Sequence, residues 1–92
     1  MADTIERTLE IVNLKGLHAR ASAKFVEVVE SFDGQADVEK DGLSTTGDSI
    51  MGLLMLAASK GSFIKVETSG DQALELADAI QALVEDKFGE DD

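Results

Sequence analysis

The spacing of apolar residues changes abruptly near residue 18, and this change constrains the fold more than any other feature of the chain. Between residues 5 and 12 apolar side chains alternate with polar ones, the period of two typical of a half-buried strand. Between residues 19 and 32 they recur at every third or fourth position, as in an amphipathic helix. His18, the only histidine, therefore lies where a strand has ended and a helix begins.

The remainder of the chain predicts an α+β fold. Three further segments predict strands: 36–39, 43–46 and 63–68, of which 43–46 is marked by its threonines and not by alternation. Two further helical periods predict helices: 50–56 and 73–88. The first two of these strands are joined by Asp41-Gly42, a pair typical of hairpin turns. The order is β-α-β-β-α-β-α, and the hairpin favours an antiparallel or mixed sheet with helices packed on one face.

Length and composition narrow the functional classes. The 92 residues suit one domain, with a core at about 4–88 and a frayed acidic tail at 89–92. A formal charge of −11 disfavours nucleic acids and anionic membranes as partners. The absence of cysteine and the single histidine exclude disulfides and Cys- or His-rich metal sites, so we expect no metal and no cofactor. No signal peptide or spanning segment is visible, which predicts a cytoplasmic protein, and we expect a monomer.

The residues around the helix start suit phosphate chemistry. Helix N-termini present unpaired N–H groups and a partial positive charge, which attract anions. A neutral His18 imidazole could accept a phosphoryl group, with the backbone N–H groups of Ala19 and Arg20 and the Arg20 guanidinium stabilising its negative charges. Gly16 would let the loop bring its backbone close to a partner's histidine, and its backbone is also predicted to bind the phosphate. On spacing alone, however, a lone histidine after a strand is most often an ordinary loop residue.

Two separate motifs give that interpretation more weight. Residues 16–20, G-L-H-A-R, resemble the active-site signature of the HPr family, the histidine-containing phosphocarriers of the bacterial phosphotransferase system. Residues 48–56, D-S-I-M-G-L-L-M-L, resemble the second, serine-containing signature of that family. With the following strand and helix, the resemblance covers about residues 4–88. In detail the motifs are closer to the nitrogen-related branch, often called NPr, than to the sugar-transport branch.

The resemblance implies a fold and a reaction. It implies a four-stranded antiparallel sheet covered on one face by three helices. It also implies that enzyme I passes a phosphoryl group to His18, assisted by Arg20, and that His18 hands the group to an EIIA-type protein with a regulatory output. We therefore expect an intermediate in phosphoryl transfer rather than a stand-alone enzyme.

Two features of the second motif and one residue beside the first carry further expectations. Ser49 is a good helix N-cap, worth about 1 kcal/mol, while the resemblance implies regulatory phosphorylation there by an HPr kinase/phosphorylase. The apolar residues Ile50, Met51 and Leu54 are interpreted as a docking surface for enzyme I and EIIA, the alternative being simple core. Finally, Ala21 stands where the family usually has proline after the arginine, which keeps the helix and adds an N–H group.

Two alternative functions remain open at this stage. Asp48-Ser49 at the start of a helix in a small acidic chain is also typical of acyl carrier proteins, although their fold is an all-helical bundle. The second alternative is a regulator on the HPr scaffold that binds partners without carrying phosphate. Neither alternative gives a role to both His18 and Arg20.

Overall fold

The chain forms a four-stranded antiparallel sheet with helices against one face. The computed structural model describes residues 4–90, and the strand order is β1-β4-β2-β3. In chain order the elements are β1 (Ile5–Glu10), α1 (Ala19–Glu30), β2 (Gln35–Lys40), β3 (Leu43–Thr46), α2 (Ile50–Met55), β4 (Phe63–Ser69), α3 (Ala73–Glu85) and a 3-10 turn (Lys87–Gly89), here called the C-terminal turn. The predicted fold class and the β-α-β-β-α-β-α order are confirmed. Because the hypothesis of an acyl carrier requires an all-helical bundle, it is wrong.

Alternation along the strands decides which face of the sheet is covered. On the central strand β4, Ile64 and Val66 are buried, while Lys65 and Glu67 between them are exposed. Ile64 pairs with β1 and Val66 with β2, so the buried side chains of three strands form one apolar surface under the helices. The predicted hairpin turn is also present, since Asp41 and Gly42 have φ values of 52° and 85°, both in the left-handed region.

The segment between β1 and α1 is fixed by the loop that precedes β4. Beyond the end of β1, the Ile11 N–H donates to the Ser62 carbonyl at 2.8 Å, and the Gly61 N–H donates to the Ile11 carbonyl at 2.8 Å. Closer to the histidine, the Leu17 N–H donates to the Ala58 carbonyl at 2.9 Å. Ile11 and Leu17 are both buried. The loop before α1 is therefore held on both sides of its turn, which fixes where the helix starts.

The last helix ends earlier than predicted. We expected α3 to continue to Phe88, but it ends at Glu85, and Lys87 and Phe88 both adopt φ 56° in the left-handed region. A left-handed residue costs about 1 to 2 kcal/mol, so tertiary contacts must stabilise this conformation. Phe88 is fully buried and Lys24 Nζ donates to its carbonyl oxygen at 2.6 Å, which supplies those contacts.

The predicted acidic tail is also partly wrong. Glu90 was expected to be frayed, but its carboxylate is hydrogen-bonded to residues of the loop before α1. The two final residues of the predicted tail lie outside the described residues. Within residues 4–90, the helices are too short or too polar to cross a lipid bilayer.

Candidate functional site

His18 occupies the N-cap position of α1. Its backbone is extended, with φ −74° and ψ −177°, and its carbonyl accepts the first helical hydrogen bond from the Ser22 N–H at 2.9 Å. The N–H groups of the first helical turn, including Ala19 and Arg20, consequently have no partner within the helix. The hydroxyl of Ser22, which is buried, donates to the Leu17 carbonyl at 3.1 Å and ties the helix to the loop. The His18 ring therefore projects from a backbone held in place on both sides.

Gly16 shapes this loop and does not line the cleft beside His18. It has φ +63°, and a Cβ atom added to it would lie 2.3 Å from the Ala58 carbonyl oxygen. Its N–H donates to the Asn13 carbonyl at 3.2 Å, and its carbonyl accepts from Asn13 Nδ2 at 2.9 Å. The Gly16 N–H thus already has a partner and the residue allows close packing, while phosphate binding by its backbone stays a prediction.

A basic cleft opens beside His18. Lys15, Arg20 and Lys24 line it together with His18 and Glu90. Three cationic side chains thus converge on one cleft in a chain with a formal charge of −11 and only eight Lys and Arg residues. The His18 side chain is 26% exposed, so a partner protein can reach the ring. Together with the helix N-terminus, this arrangement is suited to attract an anion such as a phosphoryl group and would leave it open to solvent.

Glu90 is the site residue that sequence reasoning missed. Its Oε2 contacts His18 Nε2, and its Oε1 accepts a hydrogen bond from Asn13 Nδ2 at 3.0 Å. The hydrogen bonds from Asn13 and then from His18 hold the pKa of the Glu90 carboxyl below its ordinary value of 4.5. No local pattern could have revealed the contact with His18, because 72 positions separate the two residues.

Asn13 connects Glu90 to the loop. It is fully buried, and its side-chain amide donates both to the Gly16 carbonyl and to Glu90. Its Oδ1 has no hydrogen-bond partner among residues 4–90. Asparagine at this position therefore serves as a donor, holding the turn of the loop and orienting the carboxylate at the same time.

The apolar residues predicted for docking are exposed in part. Ile50 is 40% and Met51 is 68% exposed, whereas Leu54 is half-buried. Leu54 lines a second cleft that also includes His18, so the exposed part of α2 lies near the ring. Met55 is 68% exposed as well. We refer to Ile50, Met51, Leu54 and Met55 as the α2 patch.

Two other predicted positions have structural roles. Ser49 caps α2, because its Oγ accepts a hydrogen bond from the Gly52 N–H at 3.0 Å. Ala21 is fully buried in the first turn of α1 and packs into the core. Within residues 4–90 there is no group of three or more His, Cys, Asp or Glu side chains that could hold a metal ion.

Comparison with known proteins is consistent with this geometry. The family model described as "PTS HPr component phosphorylation site" matches residues 5–86. A phosphocarrier protein HPr of Neisseria meningitidis is 43% identical over 86 residues, covering 94% of this chain and 97% of that protein. A phosphocarrier protein NPr of Escherichia coli is 38% identical over 89 residues, covering 96% of this chain and 99% of that protein. Among solved structures, HPr of Thermoanaerobacter tengcongensis superposes with a TM-score of 0.90 at 42% identity, covering 95% of this chain and 98% of that one.

Proposed function

The chain belongs to the HPr family of the bacterial phosphotransferase system, and we propose that His18 is the residue on which it carries the phosphoryl group. It is a phosphocarrier, which accepts a phosphoryl group on histidine from enzyme I and passes it to EII components. The observation that supports His18 is its place as the only histidine, at the N-cap of α1 and in a basic cleft.

The surroundings of the ring support a direct transfer. The phosphoryl group carries about two negative charges once it is on the imidazole. The N–H groups of Ala19 and Arg20, the Arg20 guanidinium and the ammonium groups of Lys15 and Lys24 can stabilise those charges. All of these groups lie in or beside an open cleft, so the phosphoryl group is held without being enclosed. The site therefore suits a carrier, which must release the group again.

Partner docking is proposed to involve the α2 patch. Enzyme I and an EIIA protein are the partners that the family implies. The α2 patch presents exposed Met51 and Met55, and Leu54 shares a cleft with His18. Exposed apolar side chains beside a reactive residue are typical of a protein–protein contact, and methionine adapts to more than one partner. We propose that both partners cover this patch while the phosphoryl group is transferred.

We propose that the chain works in the nitrogen-related branch. Relatives named HPr and NPr are 43% and 38% identical to the chain, so overall identity does not favour the nitrogen-related branch. The proposal rests instead on the form of the two motifs. Rates of transfer from the enzyme I of each branch would test it. Faster transfer from the sugar-branch enzyme I would contradict it.

Regulation at Ser49 is a separate proposal. The Ser49 hydroxyl lies at the N-terminus of α2, where a phosphate is electrostatically favoured. An HPr kinase/phosphorylase with ATP should then add an acid-stable phosphoryl group that Ser49→Ala lacks. The absence of that modification would contradict the proposal.

We further propose that the protein is a cytoplasmic monomer without nucleic-acid or membrane partners. Light scattering of the purified protein tests the oligomeric state.

The decisive experiment is phosphorylation with phosphoenolpyruvate and bacterial enzyme I, followed by intact-mass measurement. We expect one acid-labile phosphoryl group on the native protein and none on His18→Ala. Native protein that accepts no phosphoryl group from enzyme I of either branch would refute the assignment and favour a regulator that carries no phosphate.

A further inference from the structure

The Glu90 carboxylate contacts the imidazole of His18, the ring that is proposed to carry the phosphoryl group. Glu90 Oε2 contacts His18 Nε2, and the Glu90 side chain is only 13% exposed. Its other oxygen, Oε1, accepts from Asn13 Nδ2 at 3.0 Å. Both oxygens of the carboxylate are thus oriented by groups of the loop before α1.

The C-terminal turn places this carboxylate. Phe88 is fully buried, and Lys24 Nζ donates to its carbonyl oxygen at 2.6 Å, which anchors the turn to α1. The Glu90 N–H then donates to the Lys87 carbonyl at 3.0 Å. Two left-handed residues, Lys87 and Phe88, redirect the chain after α3. Glu90 therefore reaches His18 through an anchored turn and not through a free chain end.

We propose that Glu90 is a positioning residue for phosphoryl transfer, an inference that rests on the proposed role of His18. The Glu90 carboxylate accepts the Nε2–H of the neutral ring and so fixes the tautomer in which Nδ1 has the lone pair. A carboxylate placed in this way also stabilises the positive charge that develops on a reacting imidazole. Since the His18 side chain makes no capping hydrogen bond to α1, Nδ1 is not used in holding the helix.

The phosphoryl transfer needs no movement of the proton on Nε2 of His18. The Nδ1 lone pair of His18 forms the new N–P bond, while the N–P bond of the donor phosphohistidine breaks and its electron pair returns to the donor ring. Nε2 keeps its proton, so the His18 ring becomes positively charged next to the Glu90 carboxylate. In the onward step the same ring leaves as neutral imidazole. Glu90 therefore lowers the barrier to acceptance, in which the positive charge develops, and takes no proton itself.

The cationic residues around the cleft allow the Glu90 carboxylate and a phosphoryl group to lie near the same ring. Glu90 is oriented at Nε2, whereas the phosphoryl group is attached at Nδ1 on the other side of the ring. Lys15, Arg20 and Lys24 line the same cleft and offset the repulsion between the two anions. The arrangement keeps an acidic residue beside an anion-binding site without closing that site.

The test uses three variants and two phosphoryl donors. Glu90→Gln removes the charge, Glu90→Asp keeps it on a shorter side chain, and Glu85→Gln is the matched control. Glu85 is exposed, and its Oε2 accepts a hydrogen bond from Gln81 Nε2 at 3.0 Å. Its replacement makes the same chemical change five positions before Glu90. Single-turnover rates are measured with phosphorylated enzyme I and with potassium phosphoramidate, a small donor that requires no docking. Nitrogen-15 NMR of the imidazole reports which ring nitrogen carries the proton.

We expect Glu90→Gln to accept the phosphoryl group about tenfold more slowly from both donors, since a charge-assisted hydrogen bond is lost. Its ring should lose the preference for the Nε2–H tautomer, whereas Glu85→Gln should match the native protein in both measurements. Glu90→Asp should recover part of the rate and of the tautomer preference.

Three results would overturn the inference. The first is a Glu90→Gln variant that reacts at the native rate with an unchanged tautomer. The second is a variant that reacts faster, because the carboxylate would then be blocking the ring. The third is a slower reaction with enzyme I but not with phosphoramidate, which would assign Glu90 to docking. Failure of the proposed function is distinct, because the native protein itself would then accept nothing from enzyme I.

Discussion

Replacing Phe88 by alanine tests whether the C-terminal turn is a fixed part of the site. The Phe88 side chain is fully buried, and truncation of a buried phenylalanine to alanine costs about 3 to 5 kcal/mol. Because the turn can unfold locally without disrupting the sheet, we expect the lower end of that range, about 3 kcal/mol. A domain of this size has a free energy of unfolding of about 5 to 14 kcal/mol. The variant should therefore remain folded but lose roughly a fifth to three fifths of its stability.

The same substitution should affect the reaction. Loss of the buried ring releases the turn and with it the Glu90 carboxylate, so Phe88→Ala should show the slower transfer and the altered His18 tautomer expected of Glu90→Gln. Urea unfolding measures the stability, and transfer from phosphoramidate measures the reactivity of the ring.

A second Phe-to-Ala substitution, at an exposed position, serves as the control for the loss of a buried ring. Phe63 is 59% exposed on the outer face of β4, so Phe63→Ala should cost well under about 1 kcal/mol and leave transfer from phosphoramidate unchanged. Equal losses of stability in Phe88→Ala and Phe63→Ala would refute the anchoring of the turn. A large loss of stability in Phe88→Ala with native transfer and tautomer would refute its link to the site.

The remaining predictions concern the phosphate site, the loop and the carboxylate. Arg20→Ala should slow acceptance from enzyme I about tenfold with little effect on stability, and Arg20→Lys should recover only part, because lysine lacks the planar pair of donors. Gly16→Ala should destabilise the fold by more than Gly61→Ala in urea unfolding, since both have positive φ but only Gly16 would also clash with a carbonyl oxygen. The pKa of Glu90 is lowered by the hydrogen bond from Asn13 and the contact with the histidine, so its contribution is fully present above about pH 4.5 and is lost at lower pH. The stability difference between native protein and Glu90→Gln should shrink as the pH falls below that value, and a difference that grows there would contradict the prediction.

The local sequence pattern was sufficient to predict the type and order of the helices and strands and the position of the histidine. Alternation at residues 5–12 and the helical period after residue 18 predicted β1 and α1, and the Asp41-Gly42 pair predicted the hairpin turn. These signals work because a strand or helix with one buried side has a period that is visible in a few consecutive residues. The position of His18 at a helix start follows from the same local information.

Gly16 shows where local pattern stopped being sufficient. The sequence placed a glycine two residues before the histidine, and phosphate binding was a reasonable interpretation. In the fold, Gly16 packs against the Ala58 carbonyl oxygen, which comes from a loop more than forty positions away. The need for glycine is thus set by a close backbone approach that the local sequence does not reveal.

The sequence by itself therefore determined the α+β order and the place of the single histidine at a helix N-terminus. Only the tertiary structure decided that α3 stops at Glu85, that Phe88 turns into the core, and that Glu90 lies on His18. The physical reason is that no local preference favours two left-handed residues in succession after a helix. Burial of Phe88 and the hydrogen bond from Lys24 stabilise that conformation, and both depend on side chains of the folded core.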